Sequence, residues 1–386
     1  MFRIKTLNEI SGIIHTHFPA DAYEVGAAID NPHGVLVRSA DMQKAEFGSD
    51  LAVIARAGAG YNNIPVDRAT EAGIVVFNTP GANANAVTEL VIGGLVLSSR
   101  PVIEAAEWVK SLSGKGAEVP AMVEKGKNQF VGPELRGKTL GVIGLGAVGG
   151  PTANIAVAMG MNVIGFDPHM SVAAAWALTR QVHRAAEEDA LLAESDYITL
   201  HLPLMADTRG KVNAAFIAKM KDGATLLNFA RGELCVDADI LAALESGKLR
   251  KYITDFPSDA LIGAPGVIAI PHLGASTPES EENCADMAAQ QIAAYLRDGT
   301  IHNSVNFPPC HMTRTAAARL CCMHQNAPGV ISAITALISE AGLNIANMIN
   351  VGGKMGYTML DLDSAPDAKL LGRIEALESI IRTRVL

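Results

Sequence analysis

Between residues 137 and 280, short β-branched runs alternate with Ala-rich stretches whose apolar residues recur at helical spacing. Thr139-Leu140-Gly141-Val142-Ile143, Asn162-Val163-Ile164-Gly165-Phe166, Tyr197-Ile198-Thr199-Leu200, Ala224-Thr225-Leu226-Leu227-Asn228 and residues 267–270 read as strands. Residues 152–159 and 237–245 read as helices between them. Strands that are apolar on both faces and alternate with helices predict a parallel, doubly wound α/β sheet. The first 98 residues repeat this grammar more loosely, with strand-like runs at 34–37, 51–55 and 74–77. They predict a second α/β lobe.

A third unit is expected from about residue 304. Asn306-Phe307-Pro308-Pro309 reads as an extended linker, because paired prolines disfavour both helix and ladder. Within 328–341, Val330, Ile334, Leu337, Ile338 and Ala341 share a helical face, and Gly342 is placed to end that helix. Two strand-like runs meet around Gly352-Gly353, then a helix is expected at 368–377 and a last strand at 380–386. The order β-α-β-β-α-β predicts a small ferredoxin-like domain. The expected division is a substrate lobe of residues 1–98 and 282–303, a nucleotide domain of 99–281, and a C-terminal domain of 304–386.

Composition narrows the function classes. A chain of 386 residues, 49% hydrophobic, is long enough for two or three packed domains. A formal net charge of −9 argues against a phosphate-backbone partner, so no nucleic-acid role is expected. The apolar run at 90–97 is too short for a membrane span and reads as a buried helix, so no membrane role is expected either. The N-terminus lacks the apolar core of a signal peptide, and the five cysteines show no C-x-x-C spacing, which fits a reducing cytoplasm. His15-Thr16-His17 and Cys321-Cys322 lack further ligands at metal-binding spacing, so no metal is expected.

The most specific motif is Gly144-Leu145-Gly146-Ala147-Val148-Gly149, which follows a predicted strand and opens a predicted helix. Gly144 permits the tight turn, Gly146 removes the Cβ that would block a pyrophosphate, and Gly149 lets helix and strand approach. The helix N-terminus supplies free N–H groups to phosphate, and Pro151 is tolerated in its first turn. Asp167 closes the next strand 18 residues past Gly149, where a carboxylate would accept hydrogen bonds from the adenosine ribose. No arginine follows it, so NAD is preferred to NADP.

Three later segments bring reactive groups to strand ends: Arg231 in Asn228-Phe229-Ala230-Arg231-Gly232-Glu233, Asp255 and Asp259 in Thr254-Asp255-Phe256-Pro257-Ser258-Asp259, and His272 in Pro271-His272-Leu273-Gly274. Oxidising a 2-hydroxy acid needs a base for the hydroxyl proton and a cation for the carboxylate. Histidine suits the first task and arginine the second.

With these blocks in order, the chain resembles the D-isomer-specific 2-hydroxyacid dehydrogenases, most closely their phosphoglycerate-oxidising members. The resemblance also rests on Ala57-Gly58-Ala59-Gly60-Tyr61-Asn62-Asn63-Ile64, Asn78-Thr79-Pro80, Glu134-Leu135-Arg136-Gly137-Lys138, His201-Leu202-Pro203-Leu204 and Gly274-Ala275-Ser276-Thr277. It implies that Arg231 binds and polarises the 2-oxo acid and that His272 is the general acid and base. It places the amides of Ala147 and Val148 against the pyrophosphate, and Thr79, Leu202, Phe229, Ala230, Asp255, Gly274 and Ala275 in the cofactor site. The family pattern D-V-F-x-x-E-P has a glutamate that pairs with the histidine; this chain lacks it, and Asp259 is the expected substitute, with Glu233 a weaker one.

On the substrate side, the resemblance implies Arg38 and Asn83 as contacts to a phosphorylated acid, the Gly58-Ala59-Gly60 backbone can present N–H groups to a carboxylate, and Arg56 reads first as a surface residue. The C-terminal unit resembles an ACT domain. His324-Gln325-Asn326-Ala327-Pro328-Gly329 is similar to an H-x-N-x-P-G effector turn, which implies that His324, Asn326 and Asn344 bind L-serine in a homo-oligomer, dimer or tetramer. A structural dimerisation domain is the plainer alternative. For the whole chain the alternatives are a glyoxylate or hydroxypyruvate reductase and a catalytically weak NAD-sensing, corepressor-like scaffold.

Overall fold

The computed structural model describes residues 1–386, which divide into two compact units, 1–83 with 278–386 and 84–277. The boundaries expected at 98/99 and 281/282 therefore differ from the observed ones. The helix Ala84–Ser99 packs inside the second unit, and the C-terminal sheet packs inside the first.

The first unit begins with β1 (Phe2–Leu7), β2 (Tyr23–Gly26), β3 (Gly34–Val37), β4 (Val53–Arg56), α1 (Val66–Glu71) and β5 (Val75–Phe77). All pairings are parallel, in the order β2-β1-β3-β4-β5. β1 escapes the apolar pattern because only Ile4 among its residues is fully buried. The strand order reverses between β1 and β3, so the loops after them flank the opening where open sheets bind ligands. Arg38 leaves β3 at that place.

The second unit follows with α2 (Ala84–Ser99), α3 (Val102–Lys110), α4 (Val119–Gly126), β6 (Thr139–Ile143), α5 (Gly149–Ala158), β7 (Asn162–Phe166), α6 (Val172–Ala177), β8 (Val182–Arg184), α7 (Glu188–Glu194), β9 (Tyr197–Leu200), α8 (Ala214–Ala218), β10 (Ala224–Asn228), α9 (Asp237–Glu245), β11 (Leu249–Thr254) and β12 (Val267–Ala269). Seven parallel strands run in the order β12-β11-β10-β9-β6-β7-β8, a Rossmann-like sheet whose order reverses between β6 and β9. β9 and β10 are buried along their whole length, which explains their unbroken apolar runs. The run at 90–97 lies in α2, with Val91 and Leu95 fully buried against β6, β10 and α5 side chains. No single helix is long and apolar enough to cross a membrane.

The chain returns to the first unit through α10 (Pro278–Asp298), then β13 (Ala318–Gln325), α11 (Val330–Glu340), β14 (Ile345–Gly352), β15 (Met355–Leu362), α12 (Ala368–Glu375) and β16 (Ile380–Val385). This is the expected β-α-β-β-α-β order, forming an antiparallel sheet β14-β15-β13-β16. It is no loosely tethered module. Cys321, Met323, Tyr357 and Met359 share one core with Val53, Phe77 and Tyr295. The stretch expected to be a plain linker is stitched to β5: Asn306 donates to Thr70 Oγ1 and the Ile74 carbonyl and accepts from the Val76 amide.

Candidate active site

The glycine turn follows β6. Gly144 has φ 89°, and a Cβ there would sit 2.6 Å from the His201 carbonyl. A Cβ at Gly149 would overlap the Gly144 carbonyl. Both glycines are therefore demanded by the fold. Gly146 is different, since a Cβ there would meet nothing within 4 Å. The chain's own packing does not require that glycine, whereas a pyrophosphate resting on the turn does. Val148 caps α5 without a side-chain hydrogen bond, while within the first turn the Gly150 amide is taken by the Gly146 carbonyl at 3.0 Å and Pro151 has no N–H, so an anion would meet the amides at the turn's Ala147–Gly149 end. These residues fit a dinucleotide.

Asp167 follows β7. Its Oδ2 accepts from the Leu145 amide at 2.9 Å and its Oδ1 from the His169 amide at 2.8 Å. The carboxylate is locked beside the glycine turn, and each oxygen keeps a lone pair for a ribose hydroxyl. After β9, Leu202 is half-buried and His201 packs against the turn, its Nε2 3.1 Å from Thr199 Oγ1. Burial pushes the His201 imidazole down to about 4, so it is neutral at pH 7.

Arg231 ends the bend after β10. It is exposed, and its Nη1 donates to the Ala230 carbonyl at 2.7 Å. Its other guanidinium donors are unpaired and face solvent. Phe229 is buried against α2, where a Cβ on Gly94 would meet its ring at 2.9 Å.

His272 lies just past β12, exposed, with Phe256 packed on it at 4.6 Å between ring centroids. Asp255 is wholly buried, its Oδ2 accepting from the Gly274 amide at 3.2 Å and its Oδ1 without a partner. Burial raises the Asp255 carboxyl, opposed by the His272 and Arg231 charges. Asp255, Gly274 and His272 thus form one local constellation, with Ala275 half-buried beside it.

Asp259, Glu233 and Thr79 sit differently from expectation. Asp259 is exposed and makes no hydrogen bond or ion pair, so it does not hold the imidazole. Ser258 accepts from the Leu261 and Ile262 amides, and this turn carries Asp259 outward. Glu233 is likewise exposed. Thr79, expected in the cofactor site, is fully buried in the first unit, where its Oγ1 accepts from the Gly58 amide at 2.7 Å. It braces that turn instead.

In the first unit, Arg38 is ion-paired with Glu281 of α10, and Arg56 donates to the Arg38 carbonyl at 3.1 Å. Gly58 has φ 152°, a conformation that favours glycine, and lies against the Arg56 guanidinium, which a Cβ there would displace. Gly60 follows, and Ala59 accepts from Asn78 Nδ2 through its carbonyl. Asn83 is half-buried at the end of this segment. Asn8 was missed by sequence reasoning: with φ 75°, its Oδ1 accepts from the Ser39 and Ala40 amides and fixes the Arg38 loop. An asparagine at a strand end is the signal that marks such a brace.

The proposed effector turn also differs from expectation. His324 is buried inside β13, with Nδ1 2.8 Å from the Gln325 carbonyl and Nε2 2.9 Å from Thr358 Oγ1. Its ring is occupied within the sheet and is not presented to a ligand. Asn326 donates to the Gly353 carbonyl at 3.0 Å, and Asn344 is exposed at the start of β14.

A family model described as the NAD binding domain of D-isomer specific 2-hydroxyacid dehydrogenases matches residues 94–274. D-3-phosphoglycerate dehydrogenase of Haemophilus influenzae is 34% identical, covering 95% of this chain and 89% of that protein. The enzyme of that name from Methanocaldococcus jannaschii is 38% identical over 69% of this chain, which spans about half, 49%, of its length. The NAD+-bound 3-phosphoglycerate dehydrogenase structure from Entamoeba histolytica matches with TM-score 0.61 at 28% identity, covering 79% of this chain and 98% of that one. Dinucleotide turn, strand-end arginine and histidine, and full-length likeness agree: the chain belongs to the D-isomer-specific 2-hydroxyacid dehydrogenase family, with an NAD-binding domain at its centre.

Proposed function

We propose that this enzyme oxidises 3-phospho-D-glycerate to 3-phosphohydroxypyruvate with NAD, the reaction that opens L-serine synthesis. The observation that carries the reading is Gly146: an uncrowded glycine in a turn whose other glycines are required by packing, beside an anchored Asp167. The glycine turn and Asp167 would hold NAD, which would supply the hydride acceptor for the C2–H bond of the substrate. His272 takes the C2 hydroxyl proton as that bond is cleaved, and Arg231 pairs with the substrate carboxylate through its unpaired donors. Asp167 binds the adenosine ribose and disfavours a 2′-phosphate. Arg38 supplies a second cation of the kind a phosphorylated acid needs, with Gly58, Ala59, Gly60 and Asn83 beside it.

L-Serine is proposed as an effector of the β13–β16 unit, read as an ACT domain. The residue match supports Asn326 and Asn344 as contacts, while His324 holds the strand pair together. We assign the enzyme to the cytoplasm, supported by five free, buried cysteines, and to a homo-oligomer.

Steady-state turnover tests the reading. Saturable NAD reduction by 3-phospho-D-glycerate, with weak activity on glyoxylate and hydroxypyruvate, is expected. Preference for either of those two acids would make the chain a reductase. A protein that binds NADH and turns over none of the three would be the scaffold, a reading that the outward Asp259 favours.

A further inference from the structure

We propose that Asn228 is a positioning residue for Arg231, acting through the bend that joins β10 to it; this rests on the substrate role read for Arg231. Asn228 is the last residue of β10 and has no exposed surface. Its Oδ1 accepts from the Ala230 amide at 3.2 Å, and its Nδ2 donates to the Arg231 carbonyl at 2.9 Å. The same Nδ2 lies 3.3 Å from the Tyr252 hydroxyl and 3.5 Å from Cys235 Sγ.

The backbone explains why an amide is needed. The ladder pairs Asn228 with Leu200 on one side and Thr254 on the other, and ends there. Beyond it the Ala230 amide has no strand to pair with, the Arg231 carbonyl otherwise accepts from the Leu234 amide at 3.3 Å, and part-buried peptide groups short of partners are costly. One side chain with a donor and an acceptor satisfies one group on each side of the Ala230–Arg231 peptide. A leucine would fill similar volume without desolvating an amide, so the polar choice follows the bend's geometry and not the core's.

The guanidinium hangs from the braced segment. Arg231 Nη1 donates to the carbonyl of Ala230, the residue whose amide Asn228 holds, while the Arg231 carbonyl is held by the same side chain. Both ends of the arginine's attachment are therefore fixed by Asn228, itself fixed between two buried strands. Two-pronged carboxylate recognition tolerates errors of only about 0.5 Å, so loosening this brace degrades substrate binding before it degrades the fold.

The test compares Asn228→Leu, Asn228→Asp and Arg231→Ala in the full chain, measuring KM for 3-phospho-D-glycerate, kcat, the NADH dissociation constant and the melting temperature. Asn228→Leu is expected to raise KM by about tenfold or more with NADH affinity within about twofold. Asn228→Asp, which keeps the acceptor and loses the donor, is expected to fall between it and the parent. A purely structural asparagine would lower melting temperature and active fraction and leave KM alone. Unchanged KM in folded Asn228→Leu overturns the proposal, and if that variant does not fold, unchanged KM in Asn228→Asp does so. If Arg231→Ala raises KM and the Asn228 variants do not, only the brace fails. If Arg231→Ala leaves KM unchanged, the role read for Arg231 fails and the brace with it.

Discussion

Phe256 packs its ring on the His272 imidazole at 4.6 Å between centroids and 47° between planes. The aromatic face limits how the exposed imidazole can turn, while the buried Asp255 next in the chain is a carboxyl raised by burial and lowered in part by the His272 charge. His272→Ala should lower kcat by about a hundredfold or more with NADH affinity intact. Asp259→Ala should leave kcat within about twofold of the parent, since it has no bond to lose. Initial rates of both variants decide; a large loss in Asp259→Ala would restore the loop acid to the chemistry.

The glycine turn separates packing from binding. Gly149→Ala forces a methyl into the Gly144 carbonyl and should cost about 1–3 kcal/mol, read as a lower melting temperature of the free protein. Gly146→Val adds bulk into open space and should leave that temperature nearly unchanged while weakening NADH binding by about tenfold or more. Denaturation scans with and without NADH resolve the pair. Equal destabilisation of the two free proteins would contradict the assignment.

These turns were legible in the sequence because their chemistry is local. Gly144, Gly146, Gly149 and Asp167 declare themselves by spacing, and β6, β7, β9 and β10 by unbroken apolar runs. Other residues were illegible because their roles depend on tertiary neighbours. Thr79 reads as a cofactor contact until its hydroxyl is found on the Gly58 amide, and His324 reads as a ligand until its ring is found inside the sheet. Asn228 and Asn8 carry no pattern of their own; only the bends they hold reveal them. Asn306 likewise converts an apparent linker into an extension of β5's edge.

Asp167→Ala should relax the preference for NAD over NADP, because the carboxylate that would face a 2′-phosphate is removed. It also takes away the acceptor of the Leu145 and His169 amides, so affinity for both dinucleotides should fall. The ratio of kcat/KM for NAD and NADP is the readout. An unaltered ratio would contradict the ribose assignment.

His201 makes stability depend on pH. Its folded pKa of about 4 lies below the ordinary value of 6.5, so between those values the unfolded chain takes up a proton that the folded chain refuses. The stability is complete above pH 6.5 and lost as pH falls toward 4, by up to about 3 kcal/mol. His201→Gln should flatten that part of the stability–pH curve in denaturant titrations. An unchanged curve would remove His201 as its cause.

Arg319 and Asp361 form a fully buried pair, with Nε to Oδ1 at 2.6 Å and Nη2 to Oδ2 at 3.0 Å. Arg319 also donates to the Asp298 and Met312 carbonyls, tying β13 to the end of α10. Burial raises the Asp361 carboxyl, but Arg319 and the Thr315 amide outweigh it and hold the group below the usual carboxylate range. Its stabilisation is present above the ordinary value of 3.8 and lost as pH falls through the lower folded one. Asp361→Asn should cost about 3–5 kcal/mol by leaving a buried cation short of its partner. Unfolding free energies test this, and a loss under about 1 kcal/mol would contradict it.

The most direct measurement is the initial rate of NADH formation from NAD and 3-phospho-D-glycerate, run on the parent chain and on His272→Ala. Saturable NADH formation by the parent, its near-complete loss in the variant, and equal NADH affinity in both are the expected results. NAD binding without NADH formation from any small D-2-hydroxy acid, or full turnover by His272→Ala, would contradict them.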